Sequence, residues 1–262
     1  MNVTVIVTTY NRPFALKKVL NGLAYQVVNA QEIIIADDGS GKETAQVIKE
    51  FLRTMPFRVL HIWQEHKGFR AARIRNKAIK ASSGDYIIIL DGDCIPNRYF
   101  IKDHISLAER GYFIQGKRVL IKRQLERQFN HIHANSFGFL CSASLKRHIS
   151  NSHHILRFPL FPTFKNKRLR GIKGCNMSFF KDDILAVNGF NEDFEGWGRE
   201  DSELAVRFYN YGLKRKEHPF MAICYHLWHP KPSRDSLKRN DELLRHAINS
   251  KAYFCSNGIV KK

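Results

Sequence analysis

Five short clusters in this sequence combine residue types that bind phosphates, metals or protons. Asp91-Gly92-Asp93 follows the apolar run Ile87-Ile88-Ile89-Leu90. Carboxylates at i and i+2 leaving a strand point to one side, so both can face a single ligand. A hard divalent cation takes a few carboxylate oxygens and keeps its other positions for water and phosphate. An isolated D-x-D is most often a polar turn, but a second acidic strand end, Ala36-Asp37-Asp38-Gly39-Ser40, reverses that reading here. Two adjacent carboxylates need donors, which the N–H and O–H groups of a base and a ribose would provide. Ser40 itself reads as a plain helix cap.

The third cluster, Gly68-Phe69-Arg70 to Asn76, opens a helix with three arginines. Arg70 stands near its start, where backbone N–H groups and the helix dipole favour a diphosphate or a base; Arg73 reads as solvated surface. In the fourth, Glu200-Asp201 follows Gly196-Trp197-Gly198-Arg199. The glycines permit close backbone approach, and Trp197 offers an apolar face to a sugar ring. Acidic residues in a first helical turn also complement the dipole. Finally, His226-Leu227-Trp228-His229 ends a late strand. An imidazole nitrogen can complete a Mn²⁺ or Mg²⁺ site begun by Asp93, with His226 the first choice and His229 the second.

These clusters need a scaffold, and the first half supplies one. Strand Val3–Thr8 leads to a helix from Pro13 with Leu16, Val19, Leu20 and Leu23 on one face. The run from Ile33 to Ala36 is a second strand, followed by a helix burying Val47, Ile48, Phe51 and Leu52. Phe57–Gln64 reads as strand, Ala71–Ala81 as helix and Tyr86–Leu90 as strand. Strands apolar on both faces, separated by amphipathic helices, predict an α/β fold with a mostly parallel sheet covered on both faces. Thr8–Arg12, Asp37–Ser40 and Asp91–Asp93 all fall at carboxyl ends of such strands, the edge where these sheets bind ligands.

Residues 122–170, rich in His, Arg, Lys, Phe and Ser, show no clear period beyond partial helix around Gln124–Asn135. They read as an irregular basic insertion or lid between a nucleotide half, 1–121, and an acceptor and catalytic half, 171–262. The latter predicts strand Lys173–Phe179, helix Lys181–Val187, a helix from Glu200 to Tyr211, strand Met221–His226 and helix Asp235–Asn249.

Composition narrows the classes. The chain has 262 residues, 44% hydrophobic, enough for one sizeable domain. Its start reads as a core strand and not a signal peptide, and no apolar run approaches the ~20 residues of a membrane helix. A soluble or peripheral protein is expected. Five scattered cysteines without a C-x-x-C pair fit a reducing cytoplasm and read mostly as small buried hydrophobes. Forty-three Lys+Arg against 24 Asp+Glu give a formal charge of +19, densest at Lys117–Arg127 and Lys165–Lys173. That favours an anionic partner: nucleic acid, an acidic membrane surface or phosphorylated substrates. No zinc-finger spacing, RNP aromatic pattern or basic heptad accompanies it, so no nucleic-acid partner is expected.

Together these residues resemble the family 2 glycosyltransferases, with a galactosyltransferase-type carboxyl-terminal segment. Val5-Ile6-Val7-Thr8-Thr9-Tyr10-Asn11-Arg12, Ala36 to Ser40, Arg75-Asn76 and Leu90 to Asp93 match the amino-terminal pattern in order. Gly189-Phe190-Asn191-Glu192-Asp193-Phe194 and Trp197 to Asp201 match the acceptor-side pattern, and the catalytic domains of bacterial chondroitin-type polymerases are also similar at Lys173-Gly174-Cys175-Asn176 and Tyr225-His226. The resemblance implies the GT-A fold and an inverting, Mn²⁺- or Mg²⁺-dependent transfer from a UDP-linked sugar. The acceptor would be a glycan or glycolipid of bacterial surface polysaccharide or lipopolysaccharide, reached at the inner membrane face. Thr8, Tyr10, Arg12, Asp38, Arg70 and Asp91 would bind the nucleotide, and Asp93 with His226 the metal. Asn176, Trp197 and Gly198 would meet the sugars. Inversion needs a general base on the acceptor hydroxyl, assigned to Asp201 with Glu200 in support. Arg199 stands where the family pattern has glycine, and Cys175 likewise. A single short catalytic domain favours adding one sugar over polymerising. A sugar-phosphate nucleotidyltransferase would share the architecture but should carry a glycine-rich phosphate loop, which Thr8–Arg12 lacks.

Overall fold

Alternation along the first strands decides the architecture of the computed structural model, which describes residues 1–55 and 57–261. In strand β1 (Val3–Thr9), Val3, Val5 and Val7 enter one hydrophobic cluster and Ile6 enters another. Strands β2 (Glu32–Asp37) and β4 (Tyr86–Asp91) divide in the same way, Ile33, Ile35, Ile88 and Leu90 on one side and Ile34, Ile87 and Ile89 on the other. A sheet apolar on both faces must be covered on both. Helices α1 (Pro13–Ala24) and α2 (Lys42–Thr54) cover the first face, and α3 (Ala71–Ala81) the second. Each fully buried Ile or Leu contributes roughly 1.5–3 kcal/mol.

Strand β3 (Arg58–Trp63) completes the parallel set. After β4 come β5 (Cys94–Pro96), α4 (Phe100–Leu107), β6 (Tyr112–Gln115) and β7 (Lys117–Ile121). Residues 122–170 then hold α5 (Arg123–Glu126), α6 (Phe137–Leu145), β8 (Ile149–Ser150) and β9 (Phe164–Asn166). Leu125, Phe129, Ala134, Leu140, Ala143 and Ile149 of this stretch join the same hydrophobic cluster as β1. These elements are too short to impose a visible period. The chain ends with β10 (Asn176–Phe180), α7 (Lys181–Ala186), α8 (Glu200–Tyr211), β11 (Lys214–Glu217), β12 (Ile223–His226) and α9 (Leu237–Ser250).

Among the described residues the main sheet runs β3-β2-β1-β4-β10-β6-β11-β9, and a second sheet runs β5-β12-β7-β8. Strands β3, β2, β1 and β4 are mutually parallel; β10 inserts antiparallel beside β4. The register pairs Thr8 with Asp91 and Thr9 with Asp37, so three polar strand ends meet at one edge. In the second sheet β12 pairs with β5, setting His226 opposite Cys94.

Several local expectations change. Ser40 caps no helix: α2 begins after Gly41, and the Ser40 hydroxyl instead accepts the Asn11 N–H at 2.8 Å, tying two strand-end loops together. Leu52 is 39% exposed because it lies past the buried Ile48–Phe51 stripe. The strand expected from Lys173 begins at Asn176, since Lys173–Cys175 form a turn whose N–H groups bind side chains. Three of the five scattered cysteines converge: burial, with the neighbouring Cys175 and Cys224 thiols, pushes the Cys94 thiol well above its usual range.

Candidate active site

The turn after β4 brings Asp93 to the end of β12. Gly92 is needed there, because a Cβ would lie 2.9 Å from the Thr8 carbonyl oxygen. The Leu227 N–H donates to the Asp93 carbonyl at 2.9 Å, fixing the two chain segments side by side. As a result His226 Nε2 lies 3.6 Å and His229 Nε2 3.5 Å from the Asp93 carboxylate. Ligand atoms of all three fall within 4.8 Å of one another. One carboxylate and two imidazoles fit a divalent cation of intermediate hardness, and suit Mn²⁺ better than Mg²⁺. Burial lowers the His226 pKa, which keeps the ring neutral and its lone pair available. Arg12 donates to the same carboxylate at 2.6 Å and to the Trp228 carbonyl at 3.2 Å, so it orders this corner. His226 and His229, weighed as alternatives from sequence, both reach Asp93.

Beside this corner lies a cavity of about 330 Å³ lined by Thr8, Tyr10, Asp38, Phe69, Asp91 and Asp93, among others. Asp38 is buried, and its carboxylate accepts from Gln64 Nε2 at 2.6 Å and from the Arg70 N–H at 2.8 Å. Asp37 points away and accepts from the Ser40 N–H at 2.8 Å, with His61 at 3.0 Å. Burial would raise the Asp37 pKa, but these hydrogen bonds outweigh it and hold the carboxyl below its usual value. Protein donors thus satisfy the paired carboxylates, in place of the base and ribose donors expected from sequence. Gly39, at φ +94°, passes so close to His66 that a Cβ would lie 2.4 Å from its backbone nitrogen. His66 in turn stacks on Tyr10 at 4.0 Å.

A second lobe of about 370 Å³ shares Arg75, Asp91, Trp197 and Glu200 with the first and adds Asp201. Asp38, Asp93 and Asp201 therefore line one continuous cleft. Asp201 accepts from the Gly174 N–H at 2.8 Å and the Ser202 N–H at 2.6 Å, which fixes its carboxylate against the second lobe. Glu200 turns to Arg75 at 3.1 Å. Burial and the adjacent Asp201 push the Glu200 carboxyl up to about 7, against the pull of Arg75. Trp197 is 40% exposed and lines both lobes. Its loop is anchored by buried Asn240 of α9, which donates to the carbonyls of Glu195 at 3.2 Å and Gly198 at 2.9 Å.

Two expected site residues lie elsewhere. The Arg70 guanidinium folds back onto the Glu65 carbonyl and lines a separate cavity with Arg73 and Glu192; only its backbone N–H serves Asp38. The Asn176 side chain is enclosed by protein, donating to the carbonyls of Lys117 and Ala222 and facing His104 Nε2 at 2.9 Å. Conversely, Arg75, part of the Arg75-Asn76 match but given no site role by the sequence, belongs to the cleft. It is buried and donates to Thr8 Oγ1 at 3.2 Å, Asp91 at 3.0 Å and Glu200 at 3.1 Å, joining both lobes.

The sequence model described as Glycosyl transferase family 2 matches residues 4–179, and one described as N-terminal domain of galactosyltransferase matches residues 161–230. The chain is similar to hyaluronan synthase of Pasteurella multocida, 27% identical over 234 residues, covering 81% of this chain and 23% of that protein. It is also similar to chondroitin synthase of Escherichia coli, 25% identical over 226 residues, covering 80% of this chain and 32% of that protein. The chain thus spans a third or less of the length of these relatives. Among solved structures, S. aureus TarS 1-349 superimposes with a TM-score of 0.63 at 16% identity, covering 96% of this chain and 68% of that one. Mannosyltransferase PcManGT from Pyrobaculum calidifontis, solved in complex with GDP-Man and Mn²⁺, gives 0.59 at 20% identity, covering 95% and 63%. At these identities the likeness is one of fold. No helix among the described residues is long and apolar enough to cross a membrane.

Proposed function

The chain belongs to the family 2 glycosyl transferases and has the GT-A fold, and from that premise we propose that it moves a sugar, with inversion, from a UDP-linked donor to a glycan or glycolipid acceptor. The product would enter bacterial surface polysaccharide or lipopolysaccharide. The observation that carries this reading is the single cleft holding Asp93, His226 and His229 at one end and Asp201 at the other.

Thr8, Tyr10 and Asp38 line the place for the base and ribose, with the Asp38 carboxylate held by Gln64 and the Arg70 N–H before any ligand arrives. A divalent cation held by Asp93, His226 and His229 would supply positive charge against the departing diphosphate. Asp91, clamped by Arg75, lies between the lobes and faces the donor sugar or ribose. Trp197 covers the sugar ring. The acceptor oxygen bonds to the anomeric carbon as that carbon's bond to the diphosphate oxygen breaks, and Asp201 takes the hydroxyl proton. Attack from the Asp201 lobe, opposite the phosphates, inverts the configuration. Arg75, bonded to both Asp91 and Glu200, ties the end of β4 to the first turn of α8, which carries Asp201.

A panel of UDP-sugars, with GDP-mannose alongside, incubated with the protein and Mn²⁺ tests the donor class. Release of UDP from one sugar, above the rate without protein, is expected. Release of GDP alone would replace the uridine donor, and no release from any sugar would remove the donor reading.

A further inference from the structure

The two densest basic stretches of the sequence come together where the cleft continues past Asp201. A cavity of about 350 Å³ is lined by Lys117 and Arg118 of β7, Lys173 of the turn before β10 and Arg215 of β11. It shares Arg118, Lys173 and Cys175 with the Asp201 lobe, so the two spaces are contiguous.

Its charges are unbalanced. Glu217 pairs with both Lys117 and Arg215, the latter at 2.7 Å. Arg215 is 5% exposed; it also donates to the carbonyl of Arg170 at 2.8 Å, and its Nε has no hydrogen-bond partner. Arg118 is half-buried, and its guanidinium donates to Cys175 Sγ at 3.6 Å. Among the described residues neither Arg118 nor Lys173 has a carboxylate within 4.0 Å. Four cations therefore line this cavity, and two of them, Lys117 and Arg215, share Glu217. Withdrawing a cation from water without a counter-ion is unfavourable, and an anion in the cavity would offset that cost. His154 completes the wall: its Nδ1 meets the Pro219 carbonyl at 2.7 Å, which leaves Nε2 as an acceptor for a hydroxyl. Burial pushes this ring's pKa down to about 4, so it adds no charge at neutral pH.

We propose that this cavity binds an anionic group of the acceptor, a carboxylate or a phosphate ester on the sugar beside the one that is glycosylated. The acceptor is then an acidic glycan. This rests on reading the Asp201 lobe as the acceptor side, but its test needs no donor.

Isothermal titration at pH 7, without metal and with UDP present, would follow inorganic phosphate, methyl glucuronide and neutral methyl glucoside. Phosphate or the glucuronide should bind while the glucoside does not, and the better of the two identifies the ester or the acid. Arg118→Gln and Lys173→Gln should each weaken that binding at least about tenfold, since hydrogen bonds to charged groups are involved. Lys173 is exposed, so its variant tests the site even if Arg118→Gln fails to fold. Equal binding of all three probes, binding of none, or affinities unchanged in both variants would overturn the proposal. Failure of wild type to release UDP from any donor would instead strike the donor reading and leave this result standing.

Discussion

Arg75 and Glu200 are joined by a 3.1 Å hydrogen bond across 125 positions of sequence. The same guanidinium holds Asp91 at 3.0 Å, so one buried cation links the end of β4 to the first turn of α8. Its worth can be measured.

Arg75→Ala would leave two half-buried carboxyl groups without their cation; breaking a fully buried pair from one side costs about 3–5 kcal/mol, and a smaller loss is expected here. Urea unfolding should register that loss in Arg75→Ala. It should be distinctly smaller when Arg75→Ala is combined with Glu200→Gln, because one stranded charge is gone. Equal losses would mean that Glu200 does not depend on Arg75.

Glu200 also makes stability depend on pH. Its folded carboxyl is raised from 4.5 to about 7, mainly by burial and by Asp201. A raised folded pKa contributes stability that is complete below the unfolded value and is lost as pH rises through the folded one. Wild type should therefore lose stability relative to Glu200→Gln between about pH 4.5 and 7. Thermal melts at pH 5 and 8 compare the two; a Tm difference that does not move with pH contradicts the assignment.

Asp201→Asn keeps the shape of the side chain and removes its basicity. Donor affinity should stay within about twofold while transfer to acceptor falls about 10²- to 10⁴-fold, the range for a lost general base. Calorimetric UDP-sugar binding beside a transfer assay separates these effects. Unchanged turnover takes the base role from Asp201.

Arg199 occupies a left-handed backbone conformation, φ +80°, immediately before α8. Such a conformation disfavours every residue with a side chain, by about 1–2 kcal/mol. Arg199 bonds Asp241 at 2.6 Å, but that pair is exposed and adds little. Arg199→Gly should therefore raise stability in urea by up to about 1 kcal/mol. A loss of that size would mean that the pair outweighs the strain.

The strand-end part of this cleft was legible because each motif sits at its own strand end. Strand period and strand carboxyl end are local properties, and Thr8, Asp38, Asp91 and Asp93 share one edge for that reason alone. Position at the strand end ranks His226 above His229, yet both rings reach Asp93, at 3.6 and 3.5 Å, where the chain leaves β12. Arg75 was hidden because the surface and buried faces of α3 carry the same residue type, and only α8, far along the chain, tells them apart. Asn176 shows the converse. Its partners Lys117, Ala222 and His104 come from three distant segments, none of which its own neighbours announce. The convergence of the two basic runs depends on β11 pairing with β6 and on the turn before β10, and neither follows from a periodic pattern.

The account rests on a divalent ion at Asp93, His226 and His229, inside the cleft that Asp201 closes. Electron paramagnetic resonance of Mn²⁺ titrated with protein and UDP reads that site directly. Wild type should remove the free-ion signal at one equivalent, and Asp93→Ala should leave it in solution. Equal depletion by both proteins, or none by wild type, would contradict the claim.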